Sequence, residues 1–164
     1  MAEWRIEQVT AETPAALEDA RALFAEYHEW LGEVVCSKRL AEEIATLPGP
    51  YAPDAGRLLL ARDVDARAAG VVGVRPFEGA TCEMKRLYVR PHARGAGLGR
   101  LLAREAIGAA RDLGYAEVLL TTLPETMETA LELYRLLGFS ETAPFADHAH
   151  VEDGVAMLYM RLAI

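Results

Sequence analysis

The sequence predicts an α/β (α+β) fold in which a mixed, mostly antiparallel sheet is flanked by helices. Three observations lead there. Three strand-like segments joined by short links lie between residues 57 and 89, which implies an antiparallel meander. A Gly-rich turn then opens a long helical segment that is followed by another strand, and that connection implies a parallel crossover. Two helix-period segments precede the meander, and no repeat or linker interrupts the 164 residues, so residues 1–164 are expected to form one domain.

Trp4 to Val9 alternates as a first strand does. Thr13-Pro14 marks a helix start, because the fixed φ of proline suits the first helical position. Leu17, Ala20, Phe24, Tyr27 and Leu31 recur at helical spacing, and Gly32 is the expected stop. A short helix opens at Ser37 with Leu40, Ile44 and Leu47 inward, and Pro48-Gly49-Pro50 ends it. The period then changes to two. Strands are predicted over Arg57–Arg62, Gly70–Arg75 and Thr81–Val89, with Asp63–Ala69 a turn and Phe77–Ala80 a tight connection. A loop, Arg90–Ala96, leads to a helix from Gly97 to Leu113 that Gly114 caps. Glu117–Thr121 reads as a strand, Glu125–Leu137 as a helix stopped by Gly138, and Ala156–Leu162 as a final strand.

Composition excludes several classes. Apolar residues make up 52% and charged residues 26%, as in ordinary globular chains. No apolar run approaches the ~20 residues that span a bilayer. The first ten residues carry Glu3, Arg5 and Glu7, unlike a secretory leader. Cys36 and Cys82 make neither a disulfide framework nor a metal-type spacing, so a cytoplasmic setting without a metal is expected. The spacing His148-Ala-His150 is the only hint of a metal ligand pair and is too sparse to define a site. The net charge of −8 is uneven: residues 1–56 carry −7, whereas residues 81–115 carry +4. An acidic chain with one basic segment suggests a local anion site rather than a nucleic-acid surface, unless the charges only cluster by chance on solvated helix faces; no membrane partner is expected.

That basic segment holds the most informative motif, Arg90-Pro-His-Ala-Arg-Gly-Ala-Gly-Leu-Gly-Arg100, between a strand and a helix. Gly95, Gly97 and Gly99 remove side chains where the backbone turns, leaving N–H groups to converge at the positive end of the helix dipole. Arg94, Arg100 and Arg104 add charge. The chemistry is that of a phosphate or pyrophosphate cradle; a Gly-rich turn with solvated arginines is the alternative. The Walker pattern fails because no Gly-Lys-Ser/Thr follows. The dinucleotide spacing G-x-G-x-x-G fails because Arg100 and Leu102 stand where the last glycine belongs.

The spacing that does match is Arg-x-x-Gly-x-Gly, met by Arg94, Gly97 and Gly99. It resembles the coenzyme A signature of the GNAT (GCN5-related) N-acetyltransferase superfamily. The lead-in Leu87-Tyr88-Val89-Arg90-Pro91 looks like the preceding strand of that family, and Tyr134, Gly138 and Phe139 match its Tyr-x-x-x-Gly-Phe element. The resemblance is strongest over residues 57–139. It implies a GNAT-like sheet, acetyl-coenzyme A as cosubstrate, and direct transfer of acetyl to a primary amine in a ternary complex. Leu87, Tyr88, Val89, Arg94, Gly95, Ala96, Gly97, Leu98, Gly99 and Arg100 would hold the coenzyme. It also implies that the strand before the motif and the strand from Glu117 splay apart, with pantetheine in the gap. Met127 departs from the pattern, since many members carry asparagine there.

Transfer to an amine needs a base, because an alkylammonium has a pKa near ~10. Glu83, on the strand leading to the motif, is the expected base, unless it is a strand glutamate paired with Lys85. Tyr134 is the expected acid for the leaving thiolate, unless the stripe Met127, Leu131, Tyr134 and Leu137 makes it a core residue. Backbone N–H groups around Leu87–Val89 would polarise the carbonyl. Cys82 has no activating partner and reads as a buried filler. The acidic first two helices, with Tyr27, Trp30 and Tyr51, and the loop over residues 140–154 would grip a small-molecule or peptide amine, cationic or aromatic-bearing, unless those acids only face solvent and the aromatics the core. A homodimer is compatible with all of this. A non-catalytic acyl-coenzyme-A-binding regulatory module of the same fold is the alternative.

Overall fold

The computed structural model describes residues 2–32, 37–125, 127–145 and 156–164. Where Thr13-Pro14 signals a helix, α1 runs over Pro14–Leu31 behind a short strand β1, Arg5–Gln8. Helix α2 covers Ser37–Ala45, and a single 3-10 turn, Gly49–Tyr51, leads to β2, Arg57–Arg62. Next in the chain are β3 (Ala68–Glu78), β4 (Thr81–Val89), α3 (Leu98–Asp112), β5 (Glu117–Thr122), α4 (Glu128–Leu136), β6 (Ser140–Glu141) and β7 (Leu158–Ala163). The strands form one sheet in the order β1-β2-β3-β4-β5-β7-β6. All neighbours are antiparallel except β4 and β5, which is the mixed sheet the sequence predicts.

Both faces of this sheet are covered. Successive strand residues point to opposite faces, and β2 shows the consequence. Leu59 and Ala61 join the layer under α3 and α4, with Leu102, Ala106 and Leu131. Leu58 and Leu60 join the layer under α1 and α2, with Leu23, Phe24 and Leu40. A strand buried on both faces reads as a continuous apolar run, and Leu58–Ala61 is such a run.

Several boundaries differ from the sequence reading; β3 begins at Ala68, inside the expected turn, and β7 at Leu158, two residues late. Strand β3 extends to Glu78 through Pro76, a residue that cannot donate to a ladder; its register with β4 shifts between Pro76 and Glu78, which absorbs it. Helix α4 begins at Glu128, three residues later than expected, with Met127 as its N-cap. Strand β6 has two residues, too few to show a period.

Two irregularities in β4 open the middle of the sheet. Val71 pairs with Tyr88 and Gly73 with Lys85, so Val72 alone stands opposite both Arg86 and Leu87. This is a β-bulge, and Arg86 adopts a left-handed φ of 60° within it. On its other edge β4 pairs with β5 only through Thr81↔Glu117, Cys82↔Val118 and Glu83↔Leu119. Beyond those pairs both strands continue without a ladder, and the sheet parts into a wedge.

Candidate active site

The wedge is closed into a site by α1, α3 and α4. Where β4 ends, a 3-10 turn, Pro91–Ala93, precedes Gly95 and Gly97 at φ of 78° and 81°. Gly97 is the N-cap of α3 and has no side chain to cap it. The first helical amides, those of Leu98, Gly99 and Arg100, have no intrahelical acceptor; the Leu101 amide is the first to close a turn, onto Gly97 at 3.0 Å. A Cβ built at Gly97 would meet nothing within 4 Å, so the space before these amides is open while the backbone angle favours glycine.

That space is a cleft of about 620 Å³. It is bordered by nine of the ten residues expected to hold the coenzyme: Leu87, Tyr88, Val89, Arg94, Gly95, Gly97, Leu98, Gly99 and Arg100. Ala96 does not border it. Arg94 donates from Nε to the Val89 carbonyl at 2.9 Å, and its guanidinium carbon lies 6.0 Å from the Trp30 ring centroid and 5.7 Å from that of Tyr88. Oriented amides, a helix N-terminus and fixed cations together fit a pyrophosphate. Met127, standing where the family often has asparagine, lines the cleft and has no amide to offer it; Thr122 Oγ1 contacts its sulfur at 3.5 Å.

A second cavity, of about 90 Å³, continues the cleft into the wedge and shares Trp30, Leu87, Met127 and Ala130 with it. Tyr134 lines this inner cavity and is 7% exposed. Among the described residues its hydroxyl donates no hydrogen bond; its ring packs edge-on against Phe139 at 5.9 Å. Burial, with a smaller contribution from Tyr27, holds its pKa well above the usual phenol value, so the proton is present at every working pH. Tyr134 is thus packed as a core residue while its hydroxyl donates to none of the described residues.

Glu83 is brought near but lines neither cavity. It is 2% exposed and accepts Arg75 Nη2 at 2.9 Å and Nε at 3.1 Å. Lys85, two residues on, does line the inner cavity, with Nζ 3.7 Å from Glu83 Oε2. Burial, reinforced by the charge of Arg86, lowers the Lys85 pKa to about 8 against the opposing pull of Glu83. Arg86 lines the cavity too, and its Nε donates to Glu43 Oε2 at 2.7 Å. Burial disfavours the Arg86 charge, but Tyr51, Glu43 and Tyr27 outweigh it and raise its pKa. The sequence reading treated Lys85 only as a partner of Glu83 and missed Arg86, because the bulge that turns it inward carries no glycine or proline signal.

Among the described residues, no carboxylate of α1 or α2 lines either cavity, and several are paired. Glu43 holds Arg86, Glu26 holds Arg90 at 2.7 Å, Asp19 holds Arg62 at 2.8 Å, and Glu18 holds Arg21. These four carboxylates are thus engaged by arginines of the chain, while Glu125 and Glu128 border the outer cleft. Of the three aromatics assigned to the acceptor, Tyr27 and Trp30 line the inner cavity. Tyr51 is fully buried and donates to Glu43 at 2.7 Å. Cys82 is buried, and burial pushes its thiol up to about 12, which suits a filler. Cys36, His148, His150 and the 146–154 part of the expected acceptor loop lie outside the described residues. Among the described residues no three His, Cys, Asp or Glu side chains group as metal ligands, and no helix is long and apolar enough to cross a membrane.

Comparisons with known proteins bear on the family and the fold. The model of the Acetyltransferase (GNAT) family matches residues 15–139. An uncharacterised N-acetyltransferase of Schizosaccharomyces pombe is 40% identical over 91% of this chain and 89% of its own. A protein of Azospirillum brasilense named IAA acetyltransferase is 30% identical over 85% and 90%. Among solved structures, a GNAT-family acetyltransferase of Staphylococcus aureus shares the fold at a TM-score of 0.77, with 13% identity over 98% of this chain and 99% of that one.

Proposed function

Because the chain belongs to the GNAT acetyltransferase family, we propose that it moves an acetyl group from acetyl-coenzyme A to a primary amine, by direct transfer in a ternary complex. The supporting observation is the continuity of the two cavities: the amide cradle at α3 opens into a wedge that ends at Tyr134. A pyrophosphate on the amides of Leu98, Gly99 and Arg100 would direct an extended pantetheine along the unpaired edge of β4. Backbone N–H groups in the stretch Leu87–Val89 polarise the thioester carbonyl. The amine nitrogen bonds to that carbonyl carbon as the C–S bond breaks. Tyr134 delivers its proton to the departing sulfur, and Lys85 with Glu83 behind it takes the proton from the amine. Lys85 accepts it in the neutral form, populated above about pH 8, and Glu83 stabilises the ammonium that results.

Two measurements test this. Acetyl-coenzyme A should raise the Tm, since a ligand bound only by the native state stabilises it, and an amine panel should release free thiol. The alternative reading, a regulatory module that binds the coenzyme without transfer, predicts the Tm shift with no thiol released by any amine. No Tm shift at millimolar coenzyme would sink both.

A further inference from the structure

The inner cavity is lined by two adjacent cations, Lys85 and Arg86, and by no carboxylate among the described residues. Behind that lining lies a connected charge cluster. Arg75 and Lys85 flank Glu83, and Arg86 holds Glu43. The carboxylates are well sequestered, with side-chain exposures of 3% for Glu83 and 11% for Glu43. With Lys85 neutral the cluster balances, two guanidiniums against two carboxylates. With Lys85 protonated it carries one unmatched positive charge in a poorly solvated place, which is costly.

The guanidinium of Arg86 is the group best placed to receive a further anion. Its Nε is held by Glu43, and the Tyr27 hydroxyl lies against it. Among the described residues neither Nη makes a hydrogen bond of ordinary geometry with a carboxylate. A guanidinium offers five N–H donors in a planar fork that matches a carboxylate. Tyr27 and Trp30, stacked 6.2 Å apart, form the adjacent wall; it is aromatic and supplies no negative charge.

Resting on the reading of this wedge as the transfer site, we infer that the acceptor is an amine that itself bears a carboxylate, seated on the Nη face of Arg86. Such an acceptor also balances the chemistry. An amino carboxylate reaching neutral Lys85 as a zwitterion adds no net charge. When the ammonium gives its proton to Lys85, the new cation on Lys85 is matched by the carboxylate on Arg86. An amine without the carboxylate leaves the cluster one charge positive.

The test compares matched acceptors: the twenty amino acids with β-alanine and γ-aminobutyrate, each beside its carboxamide, by thiol release from acetyl-coenzyme A. Tm shifts with each pair are read in the presence of coenzyme A. The acids should exceed their amides by about 10- to 100-fold in kcat/KM, the range of a charge-assisted hydrogen-bonded pair. Arg86→Gln and Arg86→Lys should bring that ratio towards one. Amides that equal or beat the acids in the wild type overturn the inference, whatever the variants do. So does a panel in which no acid is acetylated and none raises the Tm. If the coenzyme itself gives no Tm shift, the transfer reading fails, and the acid–amide Tm comparison without coenzyme still decides whether Arg86 seats a carboxylate.

Discussion

Replacing Tyr134 by phenylalanine separates two roles that this residue combines. The ring is packed against Phe139 and is 7% exposed, and phenylalanine keeps that packing. The hydroxyl donates to no described residue, so its loss breaks no donated hydrogen bond among them, and the variant should unfold within about 0.5 kcal/mol of the wild type. The catalytic consequence should be far larger. If Tyr134 protonates the sulfur, kcat should fall about 10- to 1000-fold, which corresponds to about 1.4–4 kcal/mol of barrier. The assay is thiol release at saturating coenzyme, with the Kd for coenzyme A measured separately and expected to change little. A thioester with a more acidic thiol needs the proton less, so the defect should shrink with it. An unchanged kcat in a folded variant, or a defect independent of the thiol, would return Tyr134 to the core alone.

Four further outcomes are expected. Gly97→Glu should abolish the Tm shift by acetyl-coenzyme A, because it puts a carboxylate in the cradle and a side chain at φ 81°; a retained shift would show that the coenzyme binds elsewhere. The kcat/KM of a strongly basic amine should rise through about pH 8 as Lys85 becomes neutral, and Lys85→Met and Glu83→Gln should both change that limb; superimposable profiles would remove the pair from the mechanism. The same lowered pKa makes the unfolded chain bind the proton more tightly between about pH 8 and the ordinary lysine value of 10.5, so wild-type stability should rise across that window and Lys85→Met should gain most at pH 7. Gly73→Ala should destabilise the fold by about 1–3 kcal/mol, because its Cβ would stand 2.6 Å from the Tyr51 ring; a neutral effect in denaturant melts would show that Tyr51 can move.

The helices and the meander were legible because their signals are local: Pro14, Gly32 and Gly114 at helix ends, and the apolar run Leu58–Ala61 for a doubly covered strand. The cradle was legible because glycine spacing at a strand–helix junction has few other physical uses, and nine of its ten residues border the cleft. The acceptor side was not. Which of Glu83 and Lys85 faces the wedge depends on the cross-strand neighbour Arg75 and on the bulge in β4 itself, which turns Arg86 at a residue with no turn propensity. The charge on residues 1–56 is hard to read for a related reason. A sum over residues cannot show that Glu26, Glu43 and Asp19 each meet an arginine far along the chain.

An open sheet normally has two outer borders where backbone groups lack partners, and proteins shield them against stray pairing. Here the early end of the β4–β5 ladder creates another such border in the middle of the sheet. Its two lips diverge and α1, α3 and α4 roof it, so a flat strand from a second chain cannot enter while a slender, flexible chain can. The same opening makes amide exchange a direct reporter of occupancy. Amides from Met84 to Val89 on the wedge side should exchange faster than those of the continuously paired β2 and β3 in the empty protein, and should slow when the wedge is filled.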